Sequence, residues 1–339
     1  MATPAMLQED RSSPPAPPRP ATPDRLWIQA LLLAITLFST TMVGMRYMSN
    51  FQQGVFPLAT DADIFPYRWD MANLSHFTLG LPFSLTLLGI LLTHEFGHYF
   101  ACRGFGIRAT LPYLLPAPSL SGTAGAVIRL KSRVKSRAAL LAIGALGPIA
   151  GFVVAVVMAC VGLALSKTVA VEPTKLVTFN SPLLLKLLST LPIAAFHGRL
   201  SAPLIWHPIF IASWIGILIT SLNLIPAGQL DGGHILYSIS PRLHGIITYA
   251  VMALLVFLGV EYWLGWLLWT ALLCLPGMRH PTVKDTEPLN PALLLLAPIA
   301  LLILILTATP EPFSHSSLID VLHKSGLLEW IRHHLHLGH

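Results

Sequence analysis

Long apolar runs constrain this chain more than any other feature of its sequence. The run at 246–275 is either one steep span or a tight helical hairpin that turns near Glu261. The composition agrees with a membrane protein, since 54% of the residues are hydrophobic and 11% are charged. A helix needs about 20 apolar residues to cross a bilayer. On this basis we place further spans at residues 26–45, 77–101, 138–165, 205–226 and 291–308.

We therefore predict an all-α polytopic membrane protein with six or seven transmembrane helices. Residues 1–25 hold many prolines and few large apolar side chains, so we expect a disordered tail there. Residues 26–308 form the transmembrane domain, with a core at 77–245. Residues 309–339 form a histidine-rich tail, which either captures metal or, the interpretation we favour, forms one polar face of a surface helix. Its histidines near the end are His333, His334, His336 and His339.

The charge pattern predicts an orientation in the membrane. The stretch 101–137 carries seven basic residues and no acidic one, which indicates a cytosolic loop, whereas 47–75 is acidic. The stretch 167–204 disagrees, with four basic residues against one acid. The formal net charge of +6 reflects basic residues beside apolar segments, and does not indicate a nucleic-acid partner. We favour a bacterial inner membrane, with a plastid membrane as the alternative.

A short β-like segment interrupts the basic loop. Gly122–Leu130 mixes glycines with β-branched residues after a proline-rich stretch. We expect an extended segment near the membrane surface.

A motif in the span 77–101 carries the clearest chemistry. His94 and His98 are four residues apart, so a helix places both imidazoles on one face. Glu95 follows the first histidine, an arrangement in which a carboxylate takes a proton from the attacking water without binding the metal. The alternative is a hydrogen-bonded cluster that only packs helices. We favour metal binding, because ionisable groups in an apolar run are costly unless paired, metal-bound or lining water.

A catalytic zinc needs three protein ligands and one open position, so the histidine pair needs another donor. Glu261 is predicted to lie far from the cytosolic end of the histidine helix, and His234 is a possible nitrogen donor. Asp231 fits best, because prolines and glycines in NLIPAGQLDGGH let a carboxylate turn back toward a metal. From spacing alone, a solvent-facing role for Asp231 stays open. Asn223 either donates a hydrogen bond to a developing oxyanion or forms a hydrogen bond with the backbone groups left unpaired near Pro226.

His94–His98 and the segment 223–232 together resemble the site-2 protease family of intramembrane zinc metalloproteases. The likeness covers roughly residues 77–245 and includes GALGPIAG, which is similar to the family's glycine-proline motif. The branch it resembles occurs in cyanobacteria, plastids and some other bacteria. The resemblance implies that His94, His98 and Asp231 bind Zn²⁺, that Glu95 is the general base and acid, and that the site opens toward the cytosol.

Two departures from the family pattern stand out. The stretch 167–204 is below the roughly 50 residues that a domain needs, so the PDZ domain of many bacterial relatives has no place there. The motif GPIAG also lacks the asparagine of some relatives.

These observations predict an intramembrane zinc metalloendopeptidase. Its expected partners are the lipid bilayer and a transmembrane protein substrate, such as a single-span protein; no nucleic acid is expected and no oligomeric state is predicted. The alternatives are a metal-binding membrane transporter and a non-catalytic scaffold of the same fold. A transporter should show several weak sites along a pore, whereas this sequence gathers its polar groups at one depth. The presence of all four key residues argues against the scaffold.

Overall fold

A computed structural model describes residues 25–58, 63, 67–169, 178–190, 204–278, 280–283, 285 and 287–324. The predicted proline-rich tail, apart from Arg25, and the histidines at 333–339 lie outside these residues. The described chain is mostly helical. Its helices are α1 (Leu26–Gln52), α2 (Tyr67–Ala72), α3 (Leu81–Gly104), α4 (Arg137–Leu165), α5 (Leu183–Thr190), α6 (Pro208–Asn223), α7 (Asp231–Ile239), α8 (Pro241–Glu261), α9 (Gly265–Cys274), α10 (Pro291–Leu294), α11 (Leu296–Thr307) and α12 (Leu318–Lys324). The strands are β1 (Tyr113–Pro116), β2 (Thr123–Val127), β3 (Lys167–Thr168) and β4 (Leu204–Ile205).

Four helical segments of the described chain are long and apolar enough to cross a membrane: Leu26–Gln52, Leu74–Gly104, Arg137–Leu165 and Pro241–Glu261. The prediction of a helical membrane protein agrees with this finding, but the predicted count of six or seven spans is not confirmed. Helix α6 has 16 residues and is about 24 Å long, which is shorter than the hydrocarbon core. The span predicted at 291–308 forms two helices, α10 and α11, with a break at Leu295.

The ambiguous run 246–275 is a helical hairpin. Helix α8 ends at Glu261, and the N–H groups of Tyr262 and Trp263 both donate to the Leu258 carbonyl before α9 begins. Gly259 makes the return possible, because a Cβ at this position would lie 2.5 Å from Leu267 Cγ. Of the two alternatives, the structure therefore shows the hairpin.

The predicted extended segment forms a β-hairpin. Strand β2 pairs antiparallel with β1, with Leu114 opposite Ala126. The hairpin runs along α1: Gln29 Nε2 donates to the Leu111 carbonyl at 2.9 Å, and Tyr47 Oη donates to the Leu120 carbonyl at 2.8 Å. Gln29 and Tyr47 are about 27 Å apart along the helix axis, from the rise of about 1.5 Å per residue. The hairpin thus runs beside most of the length of this candidate span, so the prediction of an extended segment is confirmed, whereas its place near the membrane surface stays a prediction.

Helices α3, α4 and α6 form the centre of the bundle, and α1 packs on the outer side of α3. The Oγ atoms of Thr40 in α1 and Ser84 in α3 are hydrogen-bonded to each other. His94 lies about 15 Å further along α3 than Ser84, at the end of the bundle where Gln29 meets the base of the hairpin. The histidine motif and the basic ends of the 101–137 stretch therefore lie toward the same end of the bundle.

Candidate metal centre

His94 and His98 lie one turn apart on the buried face of α3. Both residues are buried, and their ring centroids are 4.8 Å apart. This is the arrangement expected from their spacing, because residues four apart share one face of a helix.

Asp231 begins α7 and faces both imidazoles. Its Oδ2 lies 3.2 Å from His94 Nε2 and 3.3 Å from His98 Nε2. Two glycines make this approach possible, one in the chain between α6 and α7 and one in the first turn of α7. Gly228 has a φ of +57°, which favours glycine. A Cβ on Gly232 would lie 2.0 Å from the Leu224 carbonyl oxygen, so only glycine fits beside Asp231.

The donor atoms of His94, His98 and Asp231 all lie within 4.8 Å of one another. A zinc ion with tetrahedral bonds of about 2.0–2.1 Å has ligand atoms about 3.3 Å apart. The two separations from Asp231 match this value, and two imidazole nitrogens with one carboxylate oxygen are a donor set that zinc accepts. Among the described residues, this trio is the group of histidine, cysteine and acidic side chains that could hold a metal ion. The site therefore fits zinc.

A backbone carbonyl orients one of the two imidazoles. His98 Nδ1 lies 2.6 Å from the Ile143 carbonyl oxygen, which can only accept, so Nδ1 donates. A neutral His98 then carries its lone pair on Nε2, the atom that faces Asp231. Hydrogen bonds of this kind fix the ring orientation and tautomer of metal-binding histidines.

The glycines of α4 make room for the site. A Cβ on Gly147 would lie 2.3 Å from His98 Nε2, and one on Gly151 would lie 2.9 Å from His94 Cβ. One on Gly144 would lie 2.8 Å from the carbonyl oxygen of Asp231. Glycines on a helix face allow close approach of a neighbouring element, and here they admit the candidate metal-binding residues.

Glu95 is buried in the same cavity but is not one of the three converging residues. Ile128, just beyond β2, lines the same cavity as Glu95. The end of the hairpin therefore borders the predicted base. Glu95 can take up or release a proton beside the metal position without occupying it.

Asn223 ends α6 next to the trio. Its Nδ2 lies 3.4 Å from His94 Nε2, so its amide group reaches the space in front of the metal position. His234 lines the cavity without joining the three ligand atoms. Glu261 ends α8 and does not line the described cavity, as expected from the predicted topology.

The candidate site is a cavity of about 250 Å³ between α3, α7 and the end of the hairpin. One wall belongs to the hairpin and the chain that follows it, and the other belongs to the segment from Gln229 to His234. The lining residues are His94, Glu95, His98, Ala126, Val127, Ile128, Leu130, Ile143, Asn223, Gln229, Leu230, Asp231 and His234.

Sequence reasoning missed two partners of the site. The Ile143 carbonyl has no sequence signal, because any residue supplies a carbonyl. His280 lies 46 residues from His234, and its Nε2 is 2.9 Å from His234 Nδ1. The one sequence signal for His280 was its position in a polar stretch between two apolar runs.

Comparisons with known proteins agree with this geometry. Residues 82–260 match peptidase family M50. The chain is 32% identical over 305 residues to "Probable zinc metalloprotease EGY1, chloroplastic" of Arabidopsis thaliana, covering 85% of this chain and 54% of that protein. The rice protein (Oryza sativa subsp. japonica) of the same description is 33% identical over 282 residues, covering 78% of this chain and 47% of that protein.

The Arabidopsis "Probable zinc metalloprotease EGY2, chloroplastic" is 35% identical over 172 residues, covering 50% of this chain and 30% of that protein. The chain thus spans about half the length of the EGY1 relatives. No solved structure matches it significantly. The matched residues include the histidine motif, α4, Asn223 and Asp231, and the chain belongs to peptidase family M50.

Proposed function

We propose that this protein is an intramembrane zinc metalloprotease that hydrolyses peptide bonds in or near transmembrane segments of other membrane proteins. One observation carries the proposal. The donor atoms of His94, His98 and Asp231 converge to within 4.8 Å, and the helical segment that bears both histidines and Glu95 is long enough to cross a bilayer. Membership of the M50 family and relatives named as probable zinc metalloproteases support it.

The roles of the side chains follow from their positions. His94, His98 and Asp231 would hold the zinc, which when bound lowers the pKa of a water molecule and polarises the scissile carbonyl. Glu95 takes the proton of the attacking water and delivers it to the leaving amine. Asn223 donates from Nδ2 to the oxyanion that develops on the attacked carbonyl.

The hairpin supplies a means of holding the substrate. A helical substrate hides its carbonyls in its own hydrogen bonds, so it must unwind before attack. Val127 and Ile128 line the cavity beside Glu95. An unwound segment that pairs with this stretch by strand addition is held extended next to the base.

The basic stretch supports an orientation for the site. The basic residues at 103–108 and 129–137 flank the end of the bundle that holds His98. We place this end on the cytosolic side of a bacterial inner membrane, or on the stromal side of a plastid membrane.

A reconstituted cleavage assay tests the function. Detergent-purified protein is incubated with a synthetic single-span peptide and the fragments are identified by mass spectrometry. We expect cleavage that stops on zinc chelation, returns on adding zinc, and is absent in Glu95→Gln. A transporter or a scaffold would give no cleavage in any preparation, and equal cleavage by Glu95→Gln would indicate a contaminating protease.

A further inference from the structure

A strap, residues 276–290, lies across α7, and the structure describes it except at 279, 284 and 286. Gln229 donates to the Gly277 carbonyl at one end. The backbone N–H of Val283 donates to Tyr237 Oη at 3.3 Å. The backbone N–H of Arg137 donates to Asp285 at 2.9 Å, which joins the strap to the start of α4. The helix that begins with Asp231 is thus held on its outer side.

His280 in the strap contacts α7 through two side chains. Its ring stacks on Tyr237 with centroids 3.8 Å apart, and its Nε2 lies 2.9 Å from His234 Nδ1. Its Nδ1 lies 2.8 Å from the carbonyl oxygen of Pro281. Both nitrogens of His280 are therefore engaged.

These contacts define the tautomers of the two rings. Burial lowers the pKa of His234 and of His280, so both imidazoles are neutral at neutral pH. The Pro281 carbonyl can only accept, so His280 carries its proton on Nδ1 and leaves Nε2 bare. The bare Nε2 accepts from His234 Nδ1. His234 then carries its proton on Nδ1, and its own Nε2 has a free lone pair.

His234 lies between two cavities. It lines the candidate active site with Glu95 and Asp231, whereas His280 lines a neighbouring cavity of about 490 Å³. Since Nδ1 of His234 is turned to the strap, the opposite edge of its ring, which bears Nε2, is the edge available to the active site.

The opposite wall of the active site suggests what this nitrogen binds. Ala126, Val127 and Ile128 form that wall. An extended peptide pairs with a strand through one edge only, and its other edge keeps unpaired N–H and C=O groups. In this cavity the other edge faces the segment that bears His234. A bare imidazole nitrogen can only accept, so it suits a backbone N–H of the peptide.

We propose that His234 Nε2 accepts a hydrogen bond from a backbone N–H of the extended substrate, and that His280 is a positioning residue that fixes the required tautomer of His234. This inference rests on the proposed function. It assigns specific recognition of the substrate backbone to the wall opposite the hairpin.

Variants at His280 separate this role from simple packing. Glutamine can place a carbonyl oxygen where His280 Nε2 lies and accept from His234, whereas leucine cannot. We expect His280→Leu to reduce kcat/KM roughly tenfold, the effect of about one hydrogen bond, with zinc content unchanged. His280→Gln should restore most of the rate. Tyr237→Phe, which alters another strap contact, is the matched control and should stay close to wild type.

Replacing a substrate amide by an ester tests the contact itself. Peptides in which single backbone N–H groups near the scissile bond are replaced by oxygen are compared in wild type and in His234→Leu. One position should lower the wild-type rate roughly tenfold and have little effect in His234→Leu. Equal effects in both proteins at every position would overturn the proposed hydrogen bond.

The tautomer of His234 can be measured by a method that does not depend on enzymatic activity. Nitrogen-15 NMR of histidine-labelled protein, with His234 assigned from the spectrum of His234→Leu, should show protonated Nδ1 and bare Nε2. His280→Leu should lose this state and His280→Gln should keep it. A protonated Nε2 in wild type, or equal rate losses in both His280 variants, would overturn the positioning role. If wild type cleaves no substrate, the proposed function and the substrate contact both fail, and NMR still decides the role of His280.

Discussion

Replacing Gly147 by alanine tests most sharply how α4 shapes the metal centre. The new Cβ would lie 2.3 Å from both Cε1 and Nε2 of His98. Non-bonded carbon atoms need about 3.5 Å, so the ring must move by roughly 1 Å. Metal–ligand distances tolerate only about 0.2 Å, and the displaced Nε2 is a proposed zinc ligand. We expect Gly147→Ala to weaken zinc binding roughly a hundredfold, at the upper end of effects caused by residues that support a ligand.

Two other glycines provide a graded series. A Cβ on Gly151 would lie 2.9 Å from His94 Cβ and 3.2 Å from its Nδ1, so Gly151→Ala should weaken zinc binding by roughly tenfold. Gly89 lies on α3, and a Cβ there meets no atom within 4 Å. Gly89→Ala should bind zinc as wild type does.

The assay is titration of purified protein with a competing chelator, beside zinc content, thermal stability in detergent and cleavage of one peptide. Alanine is favoured over glycine within helices by about 1 kcal/mol, so loss of helix cannot explain a defect. Wild-type zinc affinity in Gly147→Ala, or equal losses in Gly147→Ala and Gly89→Ala, would refute the assignment of these glycines to the site.

Three further predictions concern the hairpin, the amide beside the metal and the orientation. Proline at Val127 or Ile128 should reduce cleavage at least tenfold while sparing zinc, because it removes a strand donor beside Glu95. Unchanged cleavage in both variants would argue against strand addition. Asn223→Ala should lower kcat by about a hundredfold with zinc retained, as for loss of one oxyanion donor, and loss of zinc would show a supporting role instead. A cysteine at Ser132 should react with an impermeant reagent from the cytosolic side of sealed membranes, and reaction from the far side would invert the topology.

The spacing of the candidate site residues was sufficient to predict part of the site from the sequence. His94 and His98 share a helical face whatever surrounds them, and glycine and proline after Asn223 indicated that the chain could bring Asp231 back. Both features depend on local backbone geometry, which short motifs encode. The structure places these residues together as the resemblance implied, whereas spacing alone left a solvent-facing role for Asp231 open.

Features that depend on distant packing could not be predicted in this way. The position of the hairpin along α1 is defined by Gln29 and Tyr47, which lie 82 and 73 residues from their hydrogen-bond partners. The count of spans was uncertain because hydropathy does not show where a helix ends. Helix α6 stops at Asn223, although apolar residues continue to Pro226. No periodic pattern in the sequence indicates the contact between His234 and His280.

In the proposed mechanism, Asp231 binds the metal while Glu95 acts only on the proton. The most direct measurement is zinc per protein by elemental analysis, beside cleavage of one peptide, for Glu95→Gln, Asp231→Ala and His234→Ala. We expect Glu95→Gln to keep stoichiometric zinc with no turnover, and Asp231→Ala to lose both. His234→Ala should keep its zinc. Tightly bound zinc in Asp231→Ala together with its loss in His234→Ala would rule out Asp231 as a ligand and make His234 the third ligand.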